Sequence, residues 1–194
     1  MRLFVAVDVS DAIRSYAQWV RSVVCRVAPT LQRDLRWVEP RQMHVTLRFL
    51  GEVDAADADR LGLAFAEPMQ EAPFEVELAE PRWLPTTARP RVLVVGFRRG
   101  ADELRALHDT VELRIRASLP IEPEERAFLP HLTLARARDP RRMRPVDLAR
   151  AVTARNEGPM PSARIEHVTL YQSQLSPQGP TYVALASAAL AGMP

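Results

Sequence analysis

The chain has 194 residues, 47% of them apolar, and its 26 basic side chains nearly balance 24 acidic ones to a net charge of +2. That composition excludes a disordered polyelectrolyte and a uniformly basic nucleic-acid clamp, and it suits one large domain or two closely packed lobes. Every basic residue is arginine, so any phosphate clamp must be built from planar, permanently charged guanidinium groups.

In chain order, Arg2 to Val9 reads as a strand. Its apolar run, Leu3 to Val7, ends at Asp8 and is too short for a signal h-region or a membrane span, so a cytoplasmic protein is expected. Ser10 and Asp11 supply a cap and a first-turn acid for a helix with Ile13, Tyr16, Ala17, Val20, Val24 and Val27 at helical spacing, closed by Pro29. The single cysteine, Cys25, lies among these valines; it cannot form an internal disulfide and reads as packing. Strands follow at Arg36 to Val38 and Met43 to Leu50, then a helix capped by Asp54 through about Ala66, and a strand at Phe74 to Leu78.

The second half repeats this order: a strand at Arg91 to Phe97, a helix at Gly100 to Leu119, a strand at Pro130 to Ala135, a helix near Val146 to Ala154, and strands at Ala163 to Tyr171 and Thr181 to Ala186. Phe4 precedes His44 by 40 residues and Val92 precedes His131 by 39. A long unit occurring twice predicts an α+β, bilobal molecule with pseudo-two-fold symmetry. Each lobe is expected to be an antiparallel sheet with helices on its outer face, the two facing a central cleft. The halves are 1–85 and 90–194 of one bilobal domain, with strands free to exchange between lobes. Pro81 to Pro90 is the expected linker.

His44 lies in MHVTLRFLGE, where Val45, Leu47 and Phe49 form one face and His44, Thr46 and Arg48 the other. Three of four histidines, His44, His131 and His167, are followed by Thr two places on and Leu three places on. With nine threonines and 22 leucines in the chain, each match has odds of about one in 200, so the recurrence is not accidental. Two such His–Thr pairs suit phosphodiester chemistry. A neutral imidazole removes a proton from the attacking oxygen, an imidazolium protonates the departing one, and the hydroxyls bind the non-bridging oxygens. Symmetry leaves open which histidine is acid and which is base. A zinc site lacks paired Cys, HExxH or a nearby carboxylate, and a purely structural use of the imidazoles leaves the threonines unexplained.

These motifs and their flanks, RLFVAVDV, RWVEPRQMHVTLRFLGEV, FLPHLTLAR and LYQSQLSPQGPTY, resemble the 2H phosphoesterase superfamily. Within it they are similar to the RNA 2′,3′-cyclic phosphodiesterases, also called 2′-5′ RNA ligases (LigT-like). The resemblance implies a cleft enzyme that needs no metal and no cofactor and opens a terminal 2′,3′-cyclic phosphate to a 2′-phosphomonoester. It also implies the reverse 2′-5′ joining, with a 5′-hydroxyl in place of water. It makes His44 the proton donor, His131 the proton acceptor, and Thr46 and Thr133 the phosphate holders. Arg48 and Arg136 are further substrate contacts, and Leu129 stands where relatives often carry a basic residue. Trp37 and Phe49 are candidates to stack a base, with a place in the core as the alternative for strand residues. His167 is expected to be structural or at the cleft rim, and His108 at a helix boundary. The implied partners are RNA ends, tRNA fragments among them, met by a monomer with no membrane contact. A small cyclic nucleotide, or binding without catalysis, remain alternatives. Arg126 to Arg155 holds eight arginines against Asp139 and Asp147, a bias that favours RNA.

Overall fold

A computed structural model gives the architecture, described for residues 1–124, 126–143, 148–156, 158–176 and 179–192. Arg144, Val146, Asp147, Pro177 and Gln178, which belong to segments discussed above, lie outside the described residues. The nine strands among the described residues are β1 (Arg2–Asp8), β2 (Leu35–Trp37), β3 (His44–Glu52), β4 (Phe74–Thr86), β5 (Arg89–Arg99), β6 (Leu132–Ala137), β7 (Ser162–Ile165), β8 (His167–Ser176) and β9 (Gly179–Ala189). The helices are α1 (Asp11–Val27), α2 (Leu31–Asp34), α3 (Ala55–Ala64), α4 (Ala101–Ser118) and α5 (Leu148–Thr153).

Local chemistry sets the helix starts. Ser10 Oγ accepts from the Ile13 amide at 3.3 Å and Asp54 Oδ1 from the Asp57 amide at 2.8 Å, each satisfying an orphan donor of the first turn. Gly100 precedes α4 with φ +79°, and a Cβ there would meet Glu75 O at 2.5 Å, so two constraints select glycine.

Two antiparallel sheets form, the first in the order β3-β1-β8-β9 and the second β2-β6-β5-β4-β7. The strands exchange between sequence halves: β8 and β9 complete the first sheet, whereas β2 and β4 join the second. The helices exchange too. α1 leaves β1 of the first sheet and packs with α5 against β7 and β4 of the second, while α4, following β5, packs with α3 against β3. Their apolar stripes, Ile13, Ala17, Val20 and Val24 on α1 and Leu104, Leu107, Val111 and Ile115 on α4, are buried in one continuous core.

Two expectations are corrected. Pro81 to Pro90 is not a linker but the turn end of the β4–β5 hairpin, with Trp83 opposite Leu93 and Leu84 opposite Val92. The prolines are accommodated because Pro81 sits where the register shifts and Pro85 faces Pro90 near the turn, positions that need no ladder donor. The stretch from Ala163 to Tyr171 is two strands in different sheets: β7 pairs β4 and β8 pairs β1, with Glu166 between.

Candidate active site

Strand pairing places the central side chains. On the first sheet Asp8 lies opposite His44, Ala6 opposite Thr46, and Phe4 opposite both Phe49 and Tyr171. These residues share one face, the wall of the cleft. On the second sheet Arg82, Val94 and Thr133 form a row, and Val92 pairs Arg136.

The two histidine strands carry matching β-bulges. Ala6 pairs Thr46 and Val5 pairs Arg48, which leaves Leu47 as the extra residue; likewise Val94 pairs Thr133 and Leu93 pairs Ala135, leaving Leu134 extra. Each bulge reverses the alternation beyond it. Arg48 and Ala135 therefore turn into the protein, and Phe49 and Arg136 turn onto the face of the histidines.

A narrow cavity of about 100 Å³ between the sheets is lined by His44, Thr46, His131, Thr133 and Arg136, together with Val38, Gln42, Met43 and Tyr182. The structure thus brings five of the sequence-selected residues together, from β3 on one wall and β6 with its approach on the other. Arg136 reaches the cavity through the bulge at Leu134.

Arg48 is not in the cavity. It is 9% exposed, with Nε 3.0 Å from Glu112 Oε1 on α4, Nη1 3.2 Å from Glu124 Oε2, and Nη2 donating to Glu122 O at 2.8 Å. The Leu47 bulge is the cause. Trp37 is also elsewhere: it pairs Ala135 on β6, packs against the core and carries the Arg21 guanidinium 5.6 Å from its ring centroid. Phe49 lies on the cleft face but outside the cavity, 47% exposed, with Arg2 5.0 Å from its ring centroid.

His167 lines a separate cavity with Asp8, Arg164, Glu166, Thr169 and Ser187. His108 stacks on Phe128 with centroids 4.4 Å apart and sits 3.0 Å from Asp109 Oδ1. Of the described arginines between Arg126 and Arg155, Arg136 alone lines the central cavity; Arg138, Arg141 and Arg142 are exposed elsewhere. Among the described residues no group of three or more His, Cys, Asp or Glu is placed to hold a metal ion, and no helix is long and apolar enough to cross a membrane.

The same hydrogen bond fixes both imidazoles. His44 Nδ1 lies 2.8 Å from Gln42 O and His131 Nδ1 lies 2.6 Å from Leu129 O. A carbonyl only accepts, so each Nδ1 carries the proton, and among the described residues neither Nε2 has a hydrogen-bond partner. Burial lowers the proton affinity of both rings. For His44 the Gln42 carbonyl and the Asp8 carboxylate raise it in part, while Arg136 lowers it. For His131 the Leu129 carbonyl raises it, and Arg136 and Arg82 lower it.

Sequence reasoning missed the support around His44. Phe4 stacks against it at 4.8 Å and Tyr182 meets it edge-on at 5.2 Å. Tyr171 donates to Asp8 at 2.9 Å, and burial followed by that carboxylate pushes its hydroxyl up to about 12. Gln42 donates from Nε2 to Pro180 O at 2.5 Å, tying the His44 approach to β9. The signal available was the parity of Phe4, Ala6 and Asp8, which places an acid at the end of an otherwise apolar strand.

The chain matches the family model of the 2′-5′ RNA ligase superfamily over residues 10–177. It is 33% identical to an RNA 2′,3′-cyclic phosphodiesterase of Thermus thermophilus, covering 99% of this chain and 91% of that protein. With an RNA 2′,3′-cyclic phosphodiesterase of Aeropyrum pernix it shares 37% identity over 78% of this chain and 84% of that one. Among solved structures, E. coli LigT complexed with 3′-AMP superposes with a TM-score of 0.71 at 25% identity, covering 97% of each chain. The Thermus thermophilus protein TT0787 superposes at 0.72, also at 25% identity, covering 98% of each chain.

Proposed function

The chain belongs to the 2′-5′ RNA ligase superfamily, and on that premise we propose that it is an RNA 2′,3′-cyclic phosphodiesterase in which His44 and His131 exchange protons with a single phosphate. The observation that carries this reading is the pair of imidazoles, each with Nδ1 on a backbone carbonyl and Nε2 without a partner among the described residues, lining one cavity with two threonines and an arginine.

His44, protonated on Nε2, gives its proton to the departing 3′ oxygen; His131, neutral on Nε2, takes one from the attacking water. The Thr46 and Thr133 hydroxyls and the Arg136 guanidinium hold the non-bridging oxygens as charge accumulates on them. The P–O3′ bond breaks, the phosphate stays on O2′, and the product is a 2′-phosphomonoester. Asp8 favours protonated His44 and Arg82 disfavours protonated His131, which supports this division over its reverse. The substrates are RNA ends bearing the cyclic phosphate, tRNA fragments among them, acted on by a monomer in the cytoplasm.

The test is hydrolysis of a defined oligonucleotide ending in a 2′,3′-cyclic phosphate, with chelator present. His44→Ala and His131→Ala are each expected to lose at least about 100-fold in kcat, His167→Ala to keep most activity, and the product to be the 2′-phosphate. Full activity in either of the first two variants, or loss of wild-type activity to the chelator, defeats the reading.

A further inference from the structure

A second cavity, of about 390 Å³, lies beside His131 on the second sheet. Leu129 and Pro130, the residues leading into His131, form one side, and Arg82, Gly96, Arg105 and Glu80 are among the residues lining the rest. Arg82 stands in the strand row of Val94 and Thr133, so its side chain rises from the same face as the phosphate-holding hydroxyl. Its guanidinium comes close over Gly96, where an added Cβ would lie 3.8 Å from Nη2. Arg105 is already paired with Asp102, whereas among the described residues no carboxylate lies within ion-pair distance of Arg82. Leu129 lines the cavity and is 38% exposed.

In-line displacement places the attacking oxygen opposite the departing one. With His44 on the departing O3′, the ribose and the rest of the donor strand lie toward the first sheet, and the attacking group arrives from the side of His131. Water needs only about 30 Å³ there. The cavity on that side is more than tenfold larger and combines one uncommitted cation, Arg82, with the Glu80 carboxylate and an apolar flank.

We infer that this cavity is an acceptor subsite: it receives a nucleotide whose 5′-hydroxyl attacks in place of water, with Arg82 on that nucleotide's 3′-phosphate and Leu129 and Pro130 against its ribose or base. The inference rests on the proton roles assigned above. In the step, O5′ bonds to phosphorus as its proton passes to His131 Nε2; the P–O3′ bond breaks as O3′ takes a proton from His44 Nε2. A 2′-5′ phosphodiester and a free 3′-hydroxyl result, with nothing else consumed or released. Arg82 thereby becomes the residue that decides between hydrolysis and joining.

The experiment supplies a cyclic-phosphate oligonucleotide with either the dinucleotide ApA, which has a 5′-hydroxyl and one internal phosphate, or adenosine, which lacks the phosphate. The ratio of joined to hydrolysed product is read against acceptor concentration. Arg82 also acts electrostatically on His131, but a change in that base alters both reactions alike and cancels in the ratio. In the wild type the ratio should rise and saturate with ApA at a concentration about tenfold lower than with adenosine. Arg82→Met should erase that advantage and Arg82→Lys restore part of it. An unchanged ApA half-saturation in Arg82→Met, or hydrolysis with no joined product at any ApA concentration, overturns the acceptor subsite and leaves the hydrolase standing. Absence of any turnover defeats both.

Discussion

His44 and His131 are anchored by the same bond to the carbonyl two residues before them, yet only His44 has a carboxylate, Asp8, opposite it in the strand pairing. Above the ordinary imidazole value of 6.5 both rings are mostly neutral, because burial has lowered their proton affinity. There the rate follows the fraction of the donor still protonated. Removing the Asp8 charge lowers that fraction, so Asp8→Asn should cut kcat/KM several-fold on the alkaline side of the pH profile. An unchanged alkaline side with a faster acid side would instead make His44 the base. The same depressed affinities act on stability. In the window just below pH 6.5 the unfolded chain binds more protons than the native one, so stability rises with pH through that window and levels off above it. Thermal melts of His44→Gln and His131→Gln between pH 5 and pH 8 should each lose part of the acid-side decline shown by the wild type; an unaltered slope in both would contradict their burial as neutral groups.

Strands β3 and β6 show how far periodicity carries and where it stops. The elements bearing both motifs, and the face shared by His44 and Thr46, follow from alternation alone. Beyond Thr46 the count fails, because a bulge depends on the partner strand: β1 offers one residue where β3 offers two. Parity alone puts Arg48 on the face of His44 and Phe49 on the opposite one, the reverse of their positions, and by the same count Arg136 would share a face with Leu132 and Leu134 instead of with His131. The tandem buried residues after each threonine, Leu47 with Arg48 and Leu134 with Ala135, mark the bulges in the structure. Only an arginine in an apolar context hinted at one in the sequence. Arg48 braces β3 to Glu112 of α4 and to Glu122 and Glu124 in the segment leading to His131. Arg48→Met leaves Glu112, with its side chain 13% exposed, without its cation, and should cost about 3 kcal/mol of unfolding free energy. Glu112→Gln in the same chain should recover part of that in a denaturant double-mutant cycle. A cost below about 0.5 kcal/mol, the scale of a surface pair, would show that solvent already screens the cluster.

The exchange of strands and helices between the two sheets decides how the molecule holds its catalytic spacing. A two-fold repeat was visible in the spacing of Phe4, His44, Val92 and His131, and the structure pairs Phe4 with Phe49 as it pairs Val92 with Arg136. Which sheet each strand joins was not visible, since it is settled by contacts between distant segments such as β1 with β8 and β4 with β7. The consequence is that neither sequence half can close a sheet by itself. The first sheet without β8 and β9 leaves β1 with an open edge next to Phe4, and the second without β2 and β4 loses the row that carries Arg82. Helix α4, between two strands of the second sheet, packs its stripe against the first, and α1, which follows β1 of the first sheet, packs against β7 of the second. Separate melting of two lobes is therefore opposed by a shared core. Chemical denaturation should show one transition, with tryptophan fluorescence from Trp19, Trp37 and Trp83 coinciding with the far-ultraviolet signal of the whole chain. Two resolved transitions would mean that the sheets hold independently. His44 and His131 would then owe their separation to a hinge, whereas one cooperative unit fixes both imidazoles in the frame that in-line transfer requires.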